Sequence, residues 1–195
     1  LPRSHSGFLV AALSAGVGYG VMSFIMTATP ISMHEIDAFS LVDTKLVIQS
    51  HILAMFVPSL FAGRLILLLG HVKMITLGLL AYVLCVVIGV IDNQWLHYWW
   101  ALLLLGIGWN FLFVAGTSLL PKMYRAEQSH QAQGINDLLV FCSQSLGALT
   151  SSVVLYQVGW EGLLILIVPI LVAMFGLLMF WMHRGRPQAM PLGNA

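Results

Sequence analysis

The chain has 195 residues, 59% of them hydrophobic and only 8% charged, with a formal net charge of +1 and a mean hydropathy of +0.94. Soluble domains carry roughly 25% charged residues, so this composition excludes one, and nothing in it suggests nucleic-acid binding. Apolar stretches of about 20 residues, enough to span a bilayer, recur along the chain; the alternating segments of about 10 residues that build membrane barrels do not. The expectation is an all-α polytopic membrane protein.

Six spans follow in order, at about 8–33, 46–69, 74–91, 98–120, 134–157 and 162–182. The opening LPRSHSG lacks an initiator methionine and runs straight into spanning sequence, which reads as a fragment rather than a signal peptide. Span one carries Ser14, Gly16, Gly18, Tyr19, Gly20, Ser23, Thr27 and Thr29 before Pro30. A polar link, HEIDAFSLVDTK (34–45), leads to span two, where His51, Met55, Ser59 and Gly63 recur every four residues on one helical face. Pro30 and Pro58 remove backbone hydrogen bonds and predict kinks. Apart from Thr76, Tyr82 and Cys85, span three is aliphatic residues and glycine. Span four, LLLLGIGWNFLFVAGTSLLP (102–121), holds Asn110 among glycines. The link PKMYRAEQSHQAQ (121–133) precedes span five, with Asn136, Asp137, Ser143, Gln144, Ser145 and Gly147. Span six is apolar to its end, and RGRPQAMPLGNA (184–195) reads as a cytoplasmic tail. Cys85 and Cys142 lie in spans without partners and read as buried small hydrophobes.

With both termini in the cytoplasm, Arg3, Arg64, Lys73, Lys122, Arg125, Arg184 and Arg186 fall at cytoplasmic ends and only Lys45 outside, a strong positive-inside bias. Trp95, Tyr98, Trp99, Trp100 and Trp160 gather at the outer boundary, where amphipathic rings prefer to sit. Spans three and six, apolar all round, belong against lipid. Spans one, two, four and five carry polar groups, which face a bundle interior or a wet cavity. This order states a three-helix pattern twice, and GYGVM (18–22) echoes GIGWN (106–110), which predicts a 3+3 inverted repeat.

The stretch GRLILLLGHVK (63–73) resembles the cytoplasmic loop signature of major facilitator superfamily transporters: Gly63, Gly70 and Lys73 match, while Leu67 and Leu68 replace its charged pair and His71 a basic residue. PKMYRAEQSHQAQG (121–134) is similar to the link before that family's eleventh helix, and MTATPISM, QSHILAMFVPS and GIGWNF resemble the C-terminal half of one bacterial branch. The resemblance covers essentially the whole chain. It implies half of a twelve-helix permease in the bacterial inner membrane, with spans one, two, four and five lining the cavity. The other wall then comes from a missing N-terminal half or a second copy.

Asn110 lies about 12 residues into span four, roughly 18 Å deep and near the midplane of a core about 30 Å thick. It either hydrogen-bonds a solute, with Trp109 or Phe113 offering a ring face, or bonds a neighbouring helix. Tyr19, Thr27, Met55, Ser59, Thr117 and Gln144 complete the cavity candidates. Asp137, the only acid within a span, serves either as a proton carrier or in a gating pair with Arg64. His51 is either a proton-coupling group or a boundary residue bonded to a loop.

The leading function is therefore secondary active transport of a small, neutral or aromatic organic solute by alternating access, driven by protons. A non-transporting scaffold or truncated half is the alternative. An intramembrane serine protease is remote, because His183 lies at the cytoplasmic edge, away from Ser118, and no GxSG surrounds that serine. No catalytic residue, cofactor or metal is expected.

Overall fold

The computed structural model describes residues 5–183, and every regular element among them is helical. Helix α1 runs His5–Pro30 and widens into a π-helical segment, Ile31–Ile36, after its proline. Helix α2 spans Leu41–Phe56 and passes through a tight 3-10 segment, Val57–Phe61, into α3, Ala62–Ile91. Helix α4, Trp95–Leu119, follows; short 3-10 turns lead to α5, Ser129–Ile165, and α6, Val168–His183. Ser40 starts α2: its Oγ accepts from the Asp43 amide at 3.1 Å and donates to the Asp43 carboxylate at 2.6 Å. The predicted tail and Arg3, Arg184 and Arg186 lie outside the described residues.

Four continuous helical stretches are long and apolar enough to cross a membrane: Ser6–Ile36, Leu41–Ile91, Trp95–Lys122 and Ala126–His183. The second and fourth, of 51 and 58 residues, would be roughly 75–90 Å long if straight, far beyond a bilayer core. Each is broken at one glycine in the left-handed region, Gly70 (φ 76°, ψ 164°) and Gly159 (φ 73°, ψ 179°). With ψ near 180° this is a conformation essentially reserved for glycine, and a side chain there costs roughly 1–3 kcal/mol, so the two glycines set where the chain turns.

Helix α4 is central, packed against α1, α2 and α3, while α1 also covers α5 and α6. Small residues let backbones meet. A Cβ on Gly147 of α5 would lie 2.5 Å from the Gly20 carbonyl oxygen of α1, and one on Gly116 of α4 2.6 Å from that of Ala11. Gly108 leaves a slot on α4 that the Tyr82 ring fills, so the Tyr82 hydroxyl passes α4 and donates to the Gly18 carbonyl of α1 at 2.6 Å. At the end where α1 finishes and α4 begins, Tyr98 Oη donates to Asp37 Oδ2 at 2.7 Å; that spends its hydrogen, so Ser32 Oγ donates to Tyr98, also at 2.7 Å.

Two expectations change. Helix α3 is apolar on all sides yet two-faced: Met74, Ile75, Gly78, Tyr82 and Cys85 are buried, while Leu80, Val83, Leu84 and Val87 are exposed. Cys142 is exposed on α5, on a side of that helix that nothing in the bundle covers.

Candidate functional site

The interface of α2 with α4 carries the densest polar contacts between spans. At its upper end His51 Nδ1 lies 2.8 Å from the Leu102 carbonyl; a carbonyl only accepts, so Nδ1 holds the hydrogen and Nε2 presents a lone pair. His51 is fully buried and Nε2 has no partner. One turn on, the helices touch backbone to backbone, since a Cβ on Gly106 would sit 2.7 Å from the His51 carbonyl oxygen and 3.0 Å from the Met55 amide nitrogen. A further turn on, Asn110 Nδ2 donates to the Met55 carbonyl at 2.7 Å and to Ser59 Oγ. Asn110 is 1% exposed, and both its Oδ1 and the neighbouring Trp109 Nε1 are buried without partners.

Beside this seam four rings from three helices meet. Trp109 and Phe113 of α4 stack with centroids 5.3 Å apart and planes 7° from parallel. Tyr19 of α1 sets its edge against both, at 5.1 Å each, and Phe56 of α2 meets Trp109 at 6.0 Å and 71°. Trp109 is 4% exposed, Tyr19 and Phe113 are half-buried, and Phe56 is 57% exposed, so the array is anchored inside and open at one side. Such an array offers ring faces and edges to a flat solute.

The family model of the Major Facilitator Superfamily matches residues 7–194. The chain belongs to that superfamily. It is 36% identical over 166 residues to the riboflavin transporter RfnT of Brucella anthropi, covering 83% of this chain and 40% of that protein. It is 35% identical to the MFS-type transporter YddS of Bacillus subtilis and 32% identical to YdeG of the same organism. Those matches cover 76% and 78% of this chain and 34% and 36% of the relatives. The chain thus spans two fifths or less of the length of the curated relatives it matches. No solved structure matches it significantly. These relatives are transporters and not enzymes, and the chain is a multi-pass membrane member of their superfamily.

Within this superfamily chain the fold brings together Tyr19, His51, Met55, Ser59, Trp109, Asn110 and Phe113 along one seam. Thr117 instead bonds back to the Phe113 carbonyl of its own helix at 2.7 Å. Thr27 is exposed on α1 and Gln144 half-buried on α5, and neither hydrogen-bonds the seam. Arg64 and Asp137 are exposed; Asp137 takes a 3.3 Å hydrogen bond from Asn136, and no ion pair joins it to Arg64 among the described residues. The four-residue stripe ends before Gly63, which is exposed with nothing near its Cβ position. The cause is the 3-10 segment: five residues at 120° rather than 100° rotate the stripe by roughly 100°. Gly70 is the glycine of the break, and Lys73 is exposed after it. Phe56, missed by the sequence reading, was signalled only by standing next to Met55, at a depth where α4 carries Trp109.

Proposed function

We propose that this chain is the C-terminal six-span half of a twelve-span secondary transporter, moving a flat, weakly polar ring solute of the riboflavin type by alternating access. The observation that carries the solute class is the four-ring array of Tyr19, Phe56, Trp109 and Phe113. The name of the Brucella anthropi relative points to the same chemistry.

Six spans arranged as a 3+3 inverted repeat have three supports. Gly70 and Gly159 break the two long stretches with nearly equal dihedrals. Gly70 and Gly159 are separated by almost the same length of chain as the echoing Gly18 and Gly106. Exchanging the first, second and third helices for the fourth, fifth and sixth also preserves the packing: α1 on α5 and α6 becomes α4 on α2 and α3. A missing half or a second copy is supported by α5, whose Ile135, Leu138, Phe141, Leu149 and Tyr156 stay exposed. The basic residues favour cytoplasmic termini in a bacterial plasma membrane. Proton coupling rests on Asp137 and His51, the acid and the histidine of the cavity-lining spans.

The test is uptake of labelled riboflavin by bacteria expressing the full-length protein, with competition by other solutes. Riboflavin and other flat heterocycles compete, sugars and amino acids do not, and a protonophore abolishes uptake. Competition by a non-aromatic solute alone would sink the solute class; uptake indifferent to the protonophore would sink the coupling.

A further inference from the structure

Below His51, α2 leaves the α-helical path. From Val57 to Phe61 its turns tighten to the form in which an amide pairs with the carbonyl three residues back. Met55 stands at the junction: its α-helical donor, the Ser59 amide, turns to the Phe56 carbonyl in the tighter pattern, and its donor in that pattern would be residue 58, a proline with no N–H. A bare peptide carbonyl in an apolar bundle is costly. Its donor comes from another helix: Asn110 Nδ2 reaches the Met55 carbonyl at 2.7 Å and gives its second hydrogen to Ser59 Oγ. The two bonds straddle the break. Because a carbonyl only accepts, the orientation of the Asn110 amide is fixed. Phe56 stands between the two clasped residues, and its ring meets that of Trp109, the residue before Asn110.

We propose that Asn110 is a positioning residue: it supplies the donor that Pro58 withholds, holds α2 in its broken form, and so sets Phe56 in the ring array. Asn110 acts on the solute through Phe56 and does not touch it. This deepens the carrier reading and rests on it only where transport is the readout.

The experiment is amide hydrogen exchange across residues 54–62 of the full-length protein in lipid nanodiscs, paired with uptake kinetics. Asn110→Leu keeps the side-chain size and removes both donors. It accelerates exchange at residues 59–62 roughly tenfold, the effect of one lost buried hydrogen bond. Adding Pro58→Ala returns exchange to within about twofold of the parent, because residue 58 then supplies its own N–H. Ser59→Ala, which removes only one arm and spares folding, gives an acceleration of roughly two- to threefold. In uptake, Asn110→Leu raises riboflavin KM no more than Phe56→Ala does, and adds nothing to that rise in the Phe56→Ala background. Unchanged exchange in Asn110→Leu overturns the proposal, as does a double variant that exchanges as fast as the single one. A rise in KM that adds to that of Phe56→Ala also overturns it, since Asn110 would then touch the solute itself. Failure of the parent protein to carry riboflavin would strike the carrier reading and leave the exchange result standing.

Discussion

The α1–α5 and α2–α4 interfaces occupy equivalent places in the proposed repeat, yet they are held together differently. Between α1 and α5 the contact is made by small residues: Gly20 meets Ser143, Gly147 meets the Gly20 carbonyl, and Ser151 donates to the Phe24 carbonyl at 2.7 Å. The buried Ser151 hydroxyl is paired there, and α5 runs unbroken through it. Between α2 and α4 the same closeness at Gly106 is flanked by a histidine with a bare nitrogen, an asparagine with a bare oxygen and a break at Pro58. Unsatisfied buried groups and broken helices are expensive. The proposed function sets its solute on the side where those costs are kept.

Six substitutions probe that contrast. Gly106→Leu and Gly147→Leu have the largest effect and should be equally harmful, since each puts a Cβ within 2.7 Å of a backbone oxygen. Overpacking costs roughly 1–3 kcal/mol or more, so the monodisperse fraction in detergent falls sharply for both. Survival of one alone would show that the two seams differ in tightness as well as in polarity. Next, Gly70→Ala and Gly159→Ala cost roughly 1–3 kcal/mol each through backbone strain alone, because nothing lies near either Cβ position. Melting temperatures lowered to a similar extent are the expected result, and they separate backbone cost from packing cost. Phe56→Ala removes an exposed ring, so stability holds while riboflavin KM rises by the roughly 0.5–1.5 kcal/mol of one aromatic pair. An unchanged KM would detach the ring array from the solute. Ser151→Ala is the mildest, losing one interhelical bond of roughly 0.6 kcal/mol, with transport kinetics untouched.

Most of this was legible in the sequence where one residue type dictates one outcome. Pro58 announced a break, Gly70 sat in a recognisable loop, and an asparagine among leucines had to find partners. Phase was harder to read. The His51 stripe was correct until a 3-10 segment, whose rotation no single residue spells out, turned Gly63 away. Helix α3 hid its buried face because lipid-facing and core-facing positions use the same residues, and only a map of contacts tells Leu79 from Leu80. The π-helical turn at Ile31–Ile36 and the tie of Tyr98 to Ser32 and Asp37 depend on segments far apart in the chain. Likewise, Thr117 looked available because side-chain bonding back to its own helix is invisible in composition.

The Tyr82 ring in the slot left by Gly108 has a consequence for inheritance. A Cβ at position 108 would come within 2.5 Å of that ring, so no side chain can arise there while the tyrosine remains. Losing the tyrosine first removes the cross-helix bond to the Gly18 carbonyl and leaves a hole between three helices. Each single step is therefore worse than both together, and among related carriers positions 82 and 108 should change as a pair: glycine with tyrosine, or a larger residue facing a smaller one.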